Sequence, residues 1–354
     1  MRQKKKLVIF QSDPHLDQLS WQDMADQWKR ELGKYPAEIG AYRIMLMKGS
    51  LRADSFRDEI GDADAVLGPG IHPGLVNETF FQLHPNVKYI ATLDHGYREF
   101  DRNITKKYGV TVTNTIYGDR TIAQYAMALL LNICHDVSRN SHFTKKEYWE
   151  KRSRNEDVNY FSVMTPQIEL FGKTLGIVGL GKIGSRMAEM ALGMGMKVIA
   201  CRRTGKPGAS SAKPADSLKV AGGTVEQVPF EELLERADVI SIHCPLTSET
   251  EQMFDRSAFE RMRRGVILIN TARGGIIDED ALLDALNTRK VYMAGLDVVA
   301  EEPPAERLPL MESPYTYITS HIAWQPREAR LRAVKIAVEN YISYLHGKPV
   351  SVIS

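Results

Sequence analysis

Leu175-Gly-Ile-Val-Gly-Leu-Gly-Lys-Ile-Gly184 is an apolar run that ends in the spacing Gly179-x-Gly181-x-x-Gly184. Glycine at those three places permits a tight turn, a close backbone approach to a pyrophosphate, and close packing of a helix on a strand. The helix that begins there offers backbone N–H groups that lack intrahelical acceptors, which suits an anion. Alone the pattern is weak, since a glycine-rich structural turn can share it. Its flanks strengthen it: 174–178 reads as a buried strand, 185–193 as a helix and 196–201 as a second strand, which completes a βαβ unit. The implied ligand is a dinucleotide, with Gly179, Gly181, Lys182, Ile183 and Gly184 around its pyrophosphate.

Toward the C-terminus, strands at 237–243, 266–270, 292–298 and 315–319 alternate with helices at 230–236, 256–262 and 278–287. Such alternation predicts a doubly wound parallel sheet. The stretch 205–223, rich in Gly, Ser, Ala and Pro, reads as a surface loop or flap. Three ionisable residues follow strands of this domain: Arg273, Glu302 and His321. Each has a bland reading, as a surface charge, a turn residue before Pro303-Pro304, or a structural histidine. Together they share the carboxyl edge of one sheet, where ligands of open α/β sheets bind. Chemistry gives the trio a purpose: a guanidinium fork holds a carboxylate, and a histidine beside a carboxylate can hand a proton to an alkoxide.

Toward the N-terminus the text also alternates, with strands at 7–10, 42–47, 65–67, 87–92 and 110–113 and helices at 17–32, 54–60, 73–83 and 100–108. This is a second, smaller α/β domain whose loops Gly68-Pro-Gly70 and Asp94-His-Gly-Tyr97 follow strands. The helix at 121–134 is apolar on more than one face, as expected of one that bridges domains or subunits. A charged connection at 140–165, with a helix near 144–151, reads as a solvated face. The last helix, 327–345, returns to the first domain and brings the termini together.

A chain of 354 residues suits two domains. Its net charge of +2, with 43% hydrophobic and 25% charged residues, gives no pull toward nucleic acid or membrane. No apolar run approaches the roughly 18–20 residues of a membrane span, and no signal peptide opens the chain, so the cytoplasm is expected. Cys134, Cys201 and Cys244 lie far apart in apolar stretches and read as reduced core thiols. No ligand spacing suggests a metal.

Five motifs, in order and spacing, resemble the D-isomer-specific 2-hydroxyacid dehydrogenase family. They are Gly179-Leu-Gly-Lys-Ile-Gly184, His243-Cys-Pro-Leu-Thr247, Asn270-Thr-Ala-Arg-Gly-Gly-Ile-Ile-Asp278, Gly295-Leu-Asp-Val298 leading to Glu302-Pro303, and Ser320-His-Ile-Ala-Trp324. The resemblance runs from about residue 65 to the C-terminus. It implies a Rossmann cofactor domain, 117–321, inserted in a flavodoxin-like substrate-binding domain, 1–116 with 322–354. Arg273 would bind the substrate carboxylate and carbonyl oxygen, His321 would be the proton donor or acceptor, and Glu302 its carboxylate partner. Asp297 and the backbone of Thr271 and Ala272 would lie near the nicotinamide carboxamide, and Cys244, Pro245 and Thr250 would also line the cofactor. The loop containing His95 and Gly96 would hold the substrate carboxylate. A homodimer formed largely through the cofactor domains is implied as well.

Departures from the family pattern carry their own information. NAD-preferring members place an acid at the end of the second cofactor-domain strand; here Arg202, Arg203 and Thr204 follow it. Two guanidiniums and a hydroxyl suit a 2′-phosphate, so NADP is the preferred cofactor and NAD the alternative. Arg120 stands where small polar residues are common, and is expected to form a salt bridge across the hinge, the alternative being to meet an anionic substrate tail. His321 to Arg330 looks most like glycerate dehydrogenases and glyoxylate/hydroxypyruvate reductases. The expected activity is therefore hydride transfer between NADP(H) and a small 2-oxo/2-hydroxy acid, with phosphoglycerate oxidation as the runner-up. A nucleotide-sensing, corepressor-like protein without turnover is the alternative of another class.

Overall fold

Runs of aliphatic and β-branched residues pair into two mainly parallel sheets, one in each of two units. The computed structural model describes residues 4–13, 19–47, 53–94, 96, 100–201 and 217–354. Unit 1 comprises 1–118 with 324–354, and unit 2 comprises 119–323.

In unit 1, β1 (Lys5–Ser12), β2 (Ile39–Met47), β3 (Ala65–Gly68), β4 (Tyr89–Thr92) and β5 (Thr111–Thr113) lie in the order β2-β1-β3-β4-β5, every pair parallel. That is the flavodoxin-like order. The helix Trp21–Leu32 starts later than its periodicity predicts, because Ser20 and Asp23 form a reciprocal capping box that fixes its first turn. The helix Glu78–Leu83 is likewise shorter than 73–83, since the Asn77 side chain caps it by accepting from the Phe80 N–H at 3.1 Å. The helix Arg327–Leu345 buries Ala329, Ala333, Ala337, Val338 and Tyr341 in one core with Leu7, Ile9, Trp28 and Tyr89.

Unit 2 contains β6 (Thr174–Val178), β7 (Lys197–Cys201), β8 (Ser217–Val220), β9 (Gly223–Gln227), β10 (Val239–Ile242), β11 (Val266–Asn270), β12 (Val291–Leu296) and β13 (Thr316–Ile318). Their order is β13-β12-β11-β10-β6-β7-β9-β8. The six strands from β9 through β12 follow the 3-2-1-4-5-6 order of a dinucleotide-binding sheet, with the switch point between β6 and β10. The reading of 205–223 as loop is corrected at its end. Ser217–Val220 pairs antiparallel with Gly223–Gln227 around Ala221-Gly222, with Gly222 at φ 92°. Its small and polar residues hid a two-residue hairpin.

The helix Asp119–His135 packs against β11, β12 and the helix Lys182–Gly193, all inside unit 2, which accounts for apolarity on several sides without a second domain. Gly295 permits that approach: a Cβ there would stand 3.1 Å from the Leu129 Cβ. The connection after it is more helical than expected, with Val137–His142, a π-turn at Phe143–Glu147, and Tyr148–Ser153. It is also less uniformly polar. Arg139 pairs with Glu147 at 2.6 Å, but Val137, Trp149, Tyr160, Phe161 and Val163 stand exposed. Among the described residues, no helix is long and apolar enough to cross a membrane.

Candidate active site

Gly179, Gly181 and Gly184 serve three different ends. Gly179 turns the chain at φ 98°, where a Cβ would strike the Cys244 N at 2.8 Å. A Cβ on Gly184 would lie 2.3 Å from the Gly179 carbonyl oxygen, so this glycine lets the helix Lys182–Gly193 sit on β6. Gly181 is exposed, and a Cβ there would meet nothing within 4 Å. No side chain caps this helix of 12 residues. Its first N–H groups therefore lack protein side-chain acceptors at the one glycine whose missing Cβ opens onto solvent, and a pyrophosphate fits that cradle.

The next strands bring the other residues to the same edge. Cys244 follows β10 at 7% exposure, and the exposed Pro245 follows it. Thr250 is turned inward, its hydroxyl donating to the Pro245 carbonyl at 2.7 Å, so its side chain shapes the turn. After β11 comes a short irregular turn held by Asn270, whose amide donates to the Arg273 carbonyl at 2.9 Å and accepts from the Ala272 N–H at 3.0 Å. Arg273 is half-buried there, one guanidinium N–H donating to the Ala272 carbonyl at 2.6 Å. Thr271 is 6% exposed and its buried hydroxyl has no hydrogen-bond partner, a group that a ligand's amide would satisfy.

His321 follows β13 with φ at 57°, a left-handed conformation that costs a side-chain-bearing residue about 1–2 kcal/mol. Its backbone N–H donates to the Asp297 carbonyl at 2.8 Å. The Asp297 carboxylate, fully buried at the end of β12, accepts from Thr319 Oγ1 at 2.6 Å and from the N–H groups of Ile322 and Ala323, each at 2.9 Å. Asp297 thus buckles the segment that carries the histidine. Across from it, Glu302 Oε2 lies 2.7 Å from His321 Nδ1, and Glu302 Oε1 accepts from the Val299 N–H at 3.1 Å. Burial pushes the Glu302 carboxyl up. The hydrogen bond and charge of His321, the Val299 N–H and the charge of Arg273 outweigh it, leaving Glu302 below the usual carboxylate range.

The structure therefore gathers Gly179, Gly181, Lys182, Ile183, Gly184, Cys244, Pro245, Thr271, Ala272, Arg273, Asp297 and His321 at the carboxyl edge of one sheet, with Glu302 hydrogen-bonded to His321. Gly96 follows β4 in unit 1, while His95 and the trio Arg202, Arg203 and Thr204 lie outside the described residues. Arg120 is exposed and forms no ion pair among the described residues, and its neighbour Asp119 meets Arg186 at 3.5 Å. Sequence reasoning missed the holding roles of Asn270 and Thr319. For Asn270 a signal existed, since an Asn at the end of a strand and before a turn commonly bonds the backbone two residues on.

Residues 127–323 match the family model described as D-isomer specific 2-hydroxyacid dehydrogenase, NAD binding domain. The chain is 38% identical over 296 residues to a hydroxypyruvate reductase of Blautia hydrogenotrophica, covering 83% of this chain and 86% of that protein. It is 32% identical to a glyoxylate reductase of Korarchaeum cryptofilum, covering 82% of each. Among solved structures, the TT0316 protein from Thermus thermophilus superposes with a TM-score of 0.75 at 27% identity, over 99% of this chain and 100% of that one. The chain belongs to the D-isomer-specific 2-hydroxyacid dehydrogenase family, and is an oxidoreductase with an NAD(P)-binding domain.

Proposed function

We propose that this enzyme reduces a small 2-oxo acid, of the glyoxylate/hydroxypyruvate type, with NADPH preferred over NADH. The carrying observation is the 2.7 Å contact between His321 Nδ1 and Glu302 Oε2 on the sheet edge that also bears Arg273. The nicotinamide, when bound, supplies the hydride. Arg273 holds the acid's carboxylate and polarises its carbonyl oxygen. Glu302 accepts at Nδ1 and orients the ring, so the proton that meets the forming alkoxide leaves from Nε2 of His321. The names of the two curated relatives support the substrate class.

The Arg202-Arg203-Thr204 sequence supports NADPH, since an acid at that place would repel a 2′-phosphate. The His95-Gly96 loop of unit 1 would meet the acid's carboxylate. Exposed Trp149, Tyr160, Phe161 and Val163 on the connection after Asp119–His135 support a homodimer formed through unit 2. Three buried, unbridged cysteines suit a cytoplasmic enzyme.

The test is a panel of glyoxylate, hydroxypyruvate, pyruvate and phenylpyruvate with NADPH and with NADH, followed by loss of nicotinamide absorbance. Hydroxypyruvate or glyoxylate should be reduced, faster with NADPH. Tight nucleotide binding with no turnover of any acid would overturn the reading in favour of a nucleotide-sensing protein. Arg202→Asp should shift preference toward NADH, and an unchanged NADPH/NADH ratio would remove the cofactor argument.

A further inference from the structure

At the amino ends of β6, β10 and β11, the edge opposite the glycine turn, unit 2 holds a cavity of about 270 Å³. The residues that directly precede these neighbouring strands line it: Lys173, Asp238, and Arg263 with Arg264. Tyr292 and aliphatic side chains complete the wall.

The charges of this lining do not cancel. Asp238 is committed twice, one carboxylate oxygen accepting from the Thr174 N–H at 2.9 Å and the other pairing with Arg263 at 2.8 Å. Arg264 donates from Nη2 to the Thr288 carbonyl at 3.0 Å, an ordinary place for a cation at the end of the helix Glu279–Asn287. Its remaining donors meet no protein acceptor among the described residues. Lys173 lacks even that explanation. It is half-buried, follows a turn and not a helix, and its ammonium makes no hydrogen bond or ion pair among the described residues. Three cations against one carboxylate leave two positive charges on the lining.

We infer that this cavity binds a phosphate dianion, free or as the head of a small phosphate ester. Lysine supplies a compact charge and arginine a fork of donors, both suited to phosphate oxygens. The volume lies below the roughly 300–1,000 Å³ of pockets that enclose drug-sized molecules, so the site admits a small anion and not a dinucleotide. It is separate from the nucleotide cradle, because the five residues of β6, about 16 Å of strand, lie between Lys173 and Gly179. Asp238 also joins the three strands, its N–H donating to the Thr174 carbonyl at 2.9 Å and its carbonyl accepting from the Ile267 N–H at 3.0 Å. A ligand seated beside it therefore stabilises the sheet that carries the cofactor edge.

The experiment titrates sodium phosphate by calorimetry into enzyme saturated with NADPH, so that the cradle at Gly181 is occupied, with chloride at equal ionic strength as the reference. One phosphate should bind per chain. Lys173→Gln and Arg264→Gln should each weaken it by at least about tenfold, the loss of one charge-assisted contact. Unchanged affinity in either variant, or heat no larger than that of chloride, overturns the site. Glycerol phosphate, titrated in the same way, identifies the source: tighter binding than inorganic phosphate assigns the cavity to an ester, and equal or weaker binding to the free ion. Should a variant fail to fold, the wild type decides. Phosphate should slow acetylation of Lys173 by acetic anhydride several-fold, read by mass spectrometry, and leave the exposed Lys145 unaffected. Equal acetylation of Lys173 with and without phosphate overturns the inference.

Discussion

The two units hold their charged side chains in opposite ways. In unit 2 the side chains that bear the chemistry are already engaged: Glu302 with His321, Asp297 with Thr319, Ile322 and Ala323, and Asn270 with Ala272 and Arg273. In unit 1 the buried guanidinium of Arg330 has a ring to lean on and no acceptor among the described residues. The first pattern holds reacting groups in place before a substrate arrives, which is what proton transfer at a fixed atom requires. The second holds its cation by stacking alone, and places no reacting group.

The largest effect should come from removing the group that the unit 2 network exists to hold. His321→Ala should lower kcat by about 100- to 10,000-fold, the range of a lost general acid. Nucleotide affinity, measured by fluorescence titration, should stay close to wild type, because the pyrophosphate cradle at Gly181 shares no atom with the histidine. A matching loss of nucleotide affinity would mean that the edge acts as one binding surface, and the distinction between the two units would fade.

Asp297→Ala tests the buckle. It strips an acceptor from Thr319 and from two backbone N–H groups, so unfolding by urea should show a loss of about 3 kcal/mol, together with a fall in kcat. Arg330→Met removes only a cation–π contact, and should cost about 1 kcal/mol. Equal costs would show that Arg330 is as structural as Asp297.

The glycines of the opening turn permit a finer separation. Gly184→Ala puts a methyl 2.3 Å from the Gly179 carbonyl oxygen and should destabilise unit 2 by about 1–3 kcal/mol. Gly181→Ala meets open space, so the melting temperature should hold while nucleotide affinity falls. Thermal melts with and without NADPH distinguish the two. An affinity unchanged in Gly181→Ala would show that the nucleotide backbone does not approach there.

These contrasts explain what could be read from the chain. The sheet order around Gly179–Gly184 was legible because buried parallel strands are short apolar runs, and because each of the three glycines answers a steric demand. Arg273, Glu302 and His321 were legible because they follow strands that the topology places side by side. The hairpin at Ser217–Gln227 was not, since its strands are polar and lie at the sheet edge, where apolar periodicity fades. Nor was Arg330, since an arginine on a helix reads as a surface charge until its burial is known.

The smallest effect concerns acid. His243, hydrogen-bonded to Ser241 Oγ at 2.9 Å beside the cofactor edge, is pushed by burial down to about 4 from an ordinary 6.5. The folded form therefore keeps this ring neutral where the unfolded chain takes up a proton. Stability should fall as pH drops from 6.5 toward 4 and level off below that, by at most about 3 kcal/mol and less because the ring keeps some solvent contact. Glu302 acts in a lower window: its carboxyl is depressed in the folded state, so its contribution is complete above 4.5 and fades only as pH falls through the folded value. In unit 1, burial lowers His84 in the same direction, against a backbone hydrogen bond to Gly61, so its slope adds to that of His243. Urea midpoints between pH 7.5 and 4 should therefore decline in the wild type and decline less in His243→Gln. An unaltered slope in that variant would assign the acid sensitivity to unit 1, and would make His84, at the end of the helix Glu78–Leu83, the first point to yield instead of the cofactor edge.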